Sequence, residues 1–295
     1  MIIQRHFFLG DNWIYLKIYT GFKTADLLLK EVIYPLSQYF YQHQFISHWF
    51  FIRYNDPDFH LRVRFYILET NNINEIIQQI HKLLQGYFTN SLIWKIQYDT
   101  YNREIERYGE NTIDLSEQIF CADSEMIINL LINLQGNEPE KRRWLFALRA
   151  IDELLTIFNY SIEKKLELLI SLKDNFDKEF QIEVNLKKQF SLGFRENRRE
   201  IEKILKVNKE EQPLLLPIFQ KSEKIKRIAD QILEYERDKT SQVPINELLC
   251  SHIHMMINRL FRTQQRKHEL ILYDFMFRYY DSEIAKEKFS KKENQ

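Results

Sequence analysis

The run WFFIRYNDPDFHLRVRF, residues 49–65, carries three arginines and a histidine inside two aromatic, β-branched stretches. Side chains alternate between the faces of a strand. In the second stretch His60, Arg62 and Arg64 therefore point one way and Leu61, Val63 and Phe65 the other. In the first, Arg53 shares a face with Trp49 and Phe51. A row of guanidinium groups is a preformed site for carboxylate or phosphate, because each offers a fixed fork of donors. An ordinary solvated sheet face accounts for the same pattern equally well. A second group of residues lies in YNREIERYGE, 101–110. Glu104 and Arg107 are three apart and would pair on a helical turn, and taken alone this is a structural ion pair. A third lies in SHIHMMINRLF, 251–261. There Leu249, Ile253, Met256 and Leu260 form a helical apolar stripe. His254 sits at its edge beside Cys250, Ile257 and Phe261, with Asn258 one turn on to orient it. Such a histidine is a candidate proton-transfer group, although a satisfied boundary histidine is the commoner outcome. His252 and His254 diverge on a helix and make no metal pair, so no metal is expected.

Together the three groups supply cationic donors, a carboxylate and an imidazole. A lyase that expels an anionic leaving group needs this set.

The elements that must hold these residues read as α+β, with a mixed sheet and flanking helices in the N-terminal part and a largely helical C-terminal part. Strands are predicted over 13–19, 49–67 (a hairpin turning at Asn55, Asp56 and Pro57) and 92–101. Helices are predicted from a Thr24 N-cap to about residue 40 and over 72–84. A further helix capped by Asp123 or Ser124 runs to Leu134, followed by 139–160, 161–172, 219–237 and 245–280. The charged stretch 195–212 reads as a boundary or flexible connection, and AKEKFSKKENQ as a frayed tail. The organisation expected is an α+β lobe over 1–112, a helical lobe over 113–282 and a polar tail over 283–295.

Bulk composition narrows the function. Across 295 residues, 42 basic and 42 acidic residues cancel, which gives no reason to expect nucleic-acid or membrane binding. Two cysteines without CxxC spacing, in a chain with six glycines, argue against a disulfide framework and a zinc site and fit a reducing cytoplasm. Neither GxGxxG, nor a P-loop, nor GxSxG occurs, so no nucleotide cofactor or serine-hydrolase elbow is expected. The N-terminus MIIQRHFFLG does not read as a signal peptide, and no apolar run reaches the roughly 20 residues that span a bilayer. A cytoplasmic protein is expected.

Several stretches carry a family resemblance: WIYLKIYTG (13–21), ADLLLKEVIYPL (25–36), FFIRYNDPDFHLRVRF (50–65), REIERYG (103–109), SEQIFCADSE (116–125) and SHIHMMINRLF (251–261). In this order they resemble the C-terminal elimination domain of class I lantibiotic dehydratases, also called the thiopeptide-type bacteriocin biosynthesis domain. The resemblance implies a standalone, split form acting with a separate protein that transfers glutamate from glutamyl-tRNA to Ser or Thr of a precursor peptide. It implies that this chain then eliminates glutamate, leaving dehydroalanine or dehydrobutyrine, without a cofactor. The family's elimination residues fall on Arg64, Glu104, Arg107 and His254, with Arg62, His60, Arg53 and Asn258 as expected substrate-binding neighbours. Glu110 stands where a second glycine is usual after RYG, and Phe261 follows Leu260. The alternatives are a thiopeptide cyclase joining two dehydroalanines in a formal [4+2] reaction, and a non-catalytic peptide-binding subunit. RNA binding through the hairpin ranks last because the net charge is zero.

Overall fold

The computed structural model describes residues 3–134, 139–207 and 212–293. They form two compact units, one from Met1–Leu134 with Gln231–Thr263, the other from Gln135–Asp230 with Gln264–Gln295.

The first unit is built on strands β1 (His6–Phe7), β2 (Trp13–Thr20), β3 (Ile46–Asn55), β4 (Phe59–Ile67), β5 (Ile93–Tyr98) and β6 (Tyr101–Asn102). The main sheet has the order β3-β4-β2-β5, β1 pairs with β6, and every ladder is antiparallel. The α+β expectation holds. Register places Leu16 opposite Val63 and Ile18 opposite Leu61, while Phe51 faces Val63 and Trp49 faces Phe65. This apolar face is covered by α1 (Phe22–Leu28), a π turn (Leu29–Ile33) and α2 (Tyr34–Gln42). Phe40 meets Phe65 edge-on at 5.4 Å. The helix starts two residues before the expected Thr24 cap, with Gly21 as N-cap. Next come α3 (Ile73–Thr89), the single turn α4 (Ile105–Tyr108) and α5 (Ile113–Asn133).

Asp123 and Ser124 do not cap α5. Both lie in its middle and are buried. The Ser124 hydroxyl bonds the Phe120 carbonyl one turn back at 2.8 Å and accepts the Phe51 N–H of edge strand β3 at 3.2 Å. Their polarity serves tertiary partners and not a helix end.

The second unit is helical: α6 (Pro139–Ile157), α7 (Ile162–Glu179), α8 (Val184–Lys206) and most of α9 (Leu216–Arg237). The charged stretch expected to be a connection is the end of α8, because Phe194, Ile201, Ile204 and Leu205 give it a buried stripe; residues 208–211 lie outside the described residues. The expected 245–280 helix is two helices, α10 (Ile245–Leu260) and α11 (Gln265–Glu293). The helix α10 belongs to the unit that holds the sheet, and α11 to the other. The helix α11 carries most of the stretch expected to fray. In the second unit Asp152 of α6 takes contacts from Arg149, Lys165 and Tyr280, a polar network closed on itself.

Candidate active site

All eight residues named from the sequence lie in the first unit. The second face of the sheet carries His60, Arg62 and Arg64 on β4, opposite Tyr19, Lys17 and Tyr15 on β2 and opposite Tyr54, Ile52 and Phe50 on β3.

Arg64 is 7% exposed. Its guanidinium lies 4.3 Å from the ring centre of Tyr15, 4.7 Å from Tyr101 and 5.1 Å from Phe50. Its Nε has no hydrogen-bond partner, and it makes no ion pair among the described residues. The aromatic faces attract the cation, yet burial pulls its pKa below the usual guanidinium range, while Glu104 acts in the opposite sense. A buried charge without a counter-ion is costly, and an arriving anion would relieve that cost.

Arg62 is half-buried. Its guanidinium carbon lies over the Tyr54 ring, 3.3 Å from the ring centre, and its Nε donates to His60 Nε2 at 3.1 Å. His60 is fully buried and its Nδ1 meets the Asp58 carbonyl at 2.8 Å. Burial lowers its pKa.

Glu104 N-caps α4 and, like Arg107, is exposed. The expected i,i+3 pair forms: Arg107 Nε lies 3.2 Å from Glu104 Oε2. Behind it, Tyr108 is buried against Phe120 at 5.1 Å and His252 at 5.6 Å, and this ties α4 to α10.

On α10 the predicted stripe is buried: Leu249, Ile253, Met256 and Leu260. His254 is half-buried, on the flank that carries Asn258 one turn later. Asn258 holds the edge of the sheet. Its Oδ1 accepts the Arg53 N–H at 3.0 Å and its Nδ2 donates to the Arg53 carbonyl at 3.0 Å. Pairing an exposed strand edge with a side-chain amide closes it to foreign strands. Arg53 lies on the opposite face from Arg64. Its Nη2 meets Asp26 Oδ1 at 2.6 Å and its Nε the Arg259 carbonyl at 2.9 Å.

The sequence did not point to two further networks. Arg103, buried, bonds both oxygens of buried Glu117, at 2.8 and 2.5 Å, and Asp114 at 2.6 Å. The Tyr101 hydroxyl donates to Glu117 at 2.7 Å, so this network braces one wall of the Arg64 box. Arg259, fully buried, lies 3.8 Å from Asp123 and 4.8 Å from the Phe120 ring, and burial pushes its pKa down to about 10. A carboxylate on the buried face of α5 was the available signal for both networks. No cluster of His, Cys, Asp and Glu that could hold a metal occurs among the described residues.

The sequence profile of a family described as lantibiotic biosynthesis dehydratase C-term matches residues 13–280. Nisin biosynthesis protein NisB of Lactococcus lactis subsp. lactis is 26% identical over 295 residues, which covers 94% of this chain and 26% of NisB. Subtilin biosynthesis protein SpaB of Bacillus subtilis is 24% identical over 176 residues, 58% of this chain and 17% of SpaB. The chain thus spans about a quarter or less of these relatives. Among solved structures, the tRNA-dependent lantibiotic dehydratase MibB from Microbispora sp. 107891 superposes with a TM-score of 0.72 at 18% identity, over 97% of this chain and 29% of MibB. The pyridine synthase TbtD from thiomuracin biosynthesis superposes at 0.68 and 12% identity, over 93% of this chain and 99% of TbtD.

Proposed function

The chain belongs to the lantibiotic dehydratase C-terminal family, and on that premise we propose that it eliminates glutamate from glutamylated Ser or Thr of a ribosomally made precursor peptide. Arg64 is the observation that carries this reading: a buried guanidinium in an aromatic box, with no ion pair to a carboxylate among the described residues. A group held at that cost is suited to negative charge that arrives with a substrate or develops during reaction.

In the reaction a base removes the α-proton of the esterified residue. The Cα–H electrons form the Cα=Cβ bond as the Cβ–O bond breaks, and the pair leaves on the glutamyl carboxylate. The products are a dehydroamino acid and glutamate. Arg64 and Arg107 bind the glutamyl carboxylates and the developing charge. An oriented donor of this kind is worth about 10²–10³ in rate. Arg62 supports them. Glu104 holds Arg107 at its Nε edge. His254 transfers the proton, for about 10²–10⁴. The glutamate is supplied by a glutamylation activity that uses glutamyl-tRNA.

Mass spectrometry of a glutamylated peptide incubated with the protein tests this. The expected product has lost glutamate and carries residues one water lighter than the parent Ser or Thr. His254→Ala should fold and leave the glutamylated peptide unchanged. Intact ester with the wild-type protein refutes the reading. A second reading, pyridine-forming cyclisation, is favoured by the superposition over 99% of TbtD; a macrocycle from a bis-dehydroalanine peptide would establish it.

A further inference from the structure

His60, Arg62 and Arg64 stand in line on one face of β4, about 7 Å from one to the next at the rise of a strand. The contact between His60 and Arg62 has only one consistent assignment of protons. An arginine Nε can only donate, so at 3.1 Å the His60 Nε2 is the acceptor. The remaining proton of a neutral imidazole is then on Nδ1, which donates to the Asp58 carbonyl 2.8 Å away. The ring is fixed from both sides, by Tyr19 on β2 at 4.6 Å and Tyr54 on β3 at 5.6 Å. Tyr54 also lies beneath the Arg62 guanidinium. Arg62 is thus held at its Nε by His60 and over the Tyr54 ring. Its two terminal nitrogens have no hydrogen-bond partner among the described residues.

We propose that His60 is a positioning residue: in its neutral Nδ1–H form it holds Arg62 so that the terminal nitrogens offer a second anion-binding fork beside Arg64, and protonation of His60 releases that fork. The proposal rests on the elimination reading for the identity of the anion, a carboxylate of the glutamyl group. Its geometry stands independently of that reading.

The groups around the ring decide when the switch turns. Burial disfavours a positive charge on the ring most, and Arg62 on the same strand and Lys17 on β2 act in the same sense. Asp56 in the turn and the Asp58 carbonyl favour one. Tyr19 and Tyr54 contribute neutral rings, and Lys95 of β5 lies over Tyr19 at 4.9 Å. The net effect keeps His60 neutral below the ordinary histidine range. Below that point Nε2–H would confront Nε–H, two donors and two cations, and the contact is lost.

The test uses a peptide with 2,3-diaminopropionate acylated by glutamate, an amide that cannot eliminate, with affinity read by calorimetry. H60F keeps a ring between Tyr19 and Tyr54 but removes the acceptor; it should weaken binding about tenfold, as one charge-assisted hydrogen bond would. R62A should do the same, and H60F with R62A should be no worse than R62A alone. H60Q places a carboxamide oxygen near the Nε2 position. It should restore binding to within about twofold of wild type and abolish the loss of affinity that wild type shows on acidification. Additive H60F and R62A effects, no effect of H60F, or the same acid loss in H60Q would each overturn the proposal. So would ¹⁵N NMR showing His60 in the Nε2–H tautomer, a measurement on the wild-type protein that does not depend on any variant folding. Failure of wild type to eliminate the corresponding ester, with the His60–Arg62 coupling intact, would remove the reaction and leave the positioning role standing.

Discussion

Arg53 and Arg64 belong to one hairpin, are both buried and lie on opposite faces of the same sheet. Arg53 has its own anion: Asp26 lies at 2.6 Å with its side chain only 7% exposed, and Asp26 also takes Arg262 at 2.7 Å. Arg64 has three aromatic rings and no ion pair with a carboxylate among the described residues. The difference separates a charge that organises the fold from one kept available. A buried cation with its own anion contributes to structure only so long as the pair stays whole. A buried cation without one is strained toward whatever anion can enter.

Breaking the paired side should have the largest effect. Asp26→Ala leaves Arg53 buried without its carboxylate and should cost about 3–5 kcal/mol of stability in urea unfolding. A loss under about 1 kcal/mol would mean that Arg53 is solvated and that the comparison fails. Arg64→Met is the converse. An apolar side chain of similar volume in the aromatic box should leave stability unchanged or raised, while elimination falls about 10²–10³-fold. If Arg64→Met unfolds the protein as Asp26→Ala does, Arg64 is structural too.

Arg107→Lys adds the exposed case. The charge stays, but lysine cannot use one edge for Glu104 and another for a substrate carboxylate. Turnover should fall about ten- to a hundredfold with an unchanged melting temperature; wild-type turnover would reduce REIER to an ion pair. The smallest effect concerns His48, which stacks on Tyr66 at 4.9 Å and touches Trp13 edge-on at 5.0 Å. Burial, then the charge of Arg103, push its pKa down to about 4. In the unfolded chain it titrates near 6.5. Its contribution is therefore complete above about pH 6.5 and is lost as the pH falls toward 4. With allowance for its partial exposure this amounts to about 2 kcal/mol. His48→Phe should flatten that part of the stability profile.

The hairpin was legible in the sequence because alternation and an Asn-Asp-Pro turn leave few other structures, but that Arg53 lies on the face away from Arg64, although it was expected beside it at the substrate, follows only from the register that sets Arg53 opposite Leu61 and Arg64 opposite Phe50. The walls of the Arg64 box were not legible. Tyr15, Phe50 and Tyr101 come from three strands whose register only the folded sheet sets. Asp123 and Ser124 resembled a cap because polar residues in mid-helix are uncommon, and their partners, Arg259 and the Phe51 N–H, are remote in sequence. The charged run at 195–206 concealed its buried stripe because three apolar side chains among so many charges, with Phe194 just before them, were enough for one face. The break between α10 and α11 carries neither glycine nor proline, the usual local signals.

The unit that holds the site is not continuous in the chain: α10 returns to the sheet after residues 135–230 have gone elsewhere. On a ribosome adding about 5–20 residues per second, the sheet would wait roughly ten seconds for its last helix. Until then Phe51 could find Ser124, but Arg53 would lack the Asn258 amide, 205 positions ahead. The nascent sheet would show an open strand edge, the kind of surface that chaperones cover and that neighbouring nascent chains join. Synonymous codons that slow translation over 135–230 should therefore lower the soluble yield without altering a single side chain of the finished protein.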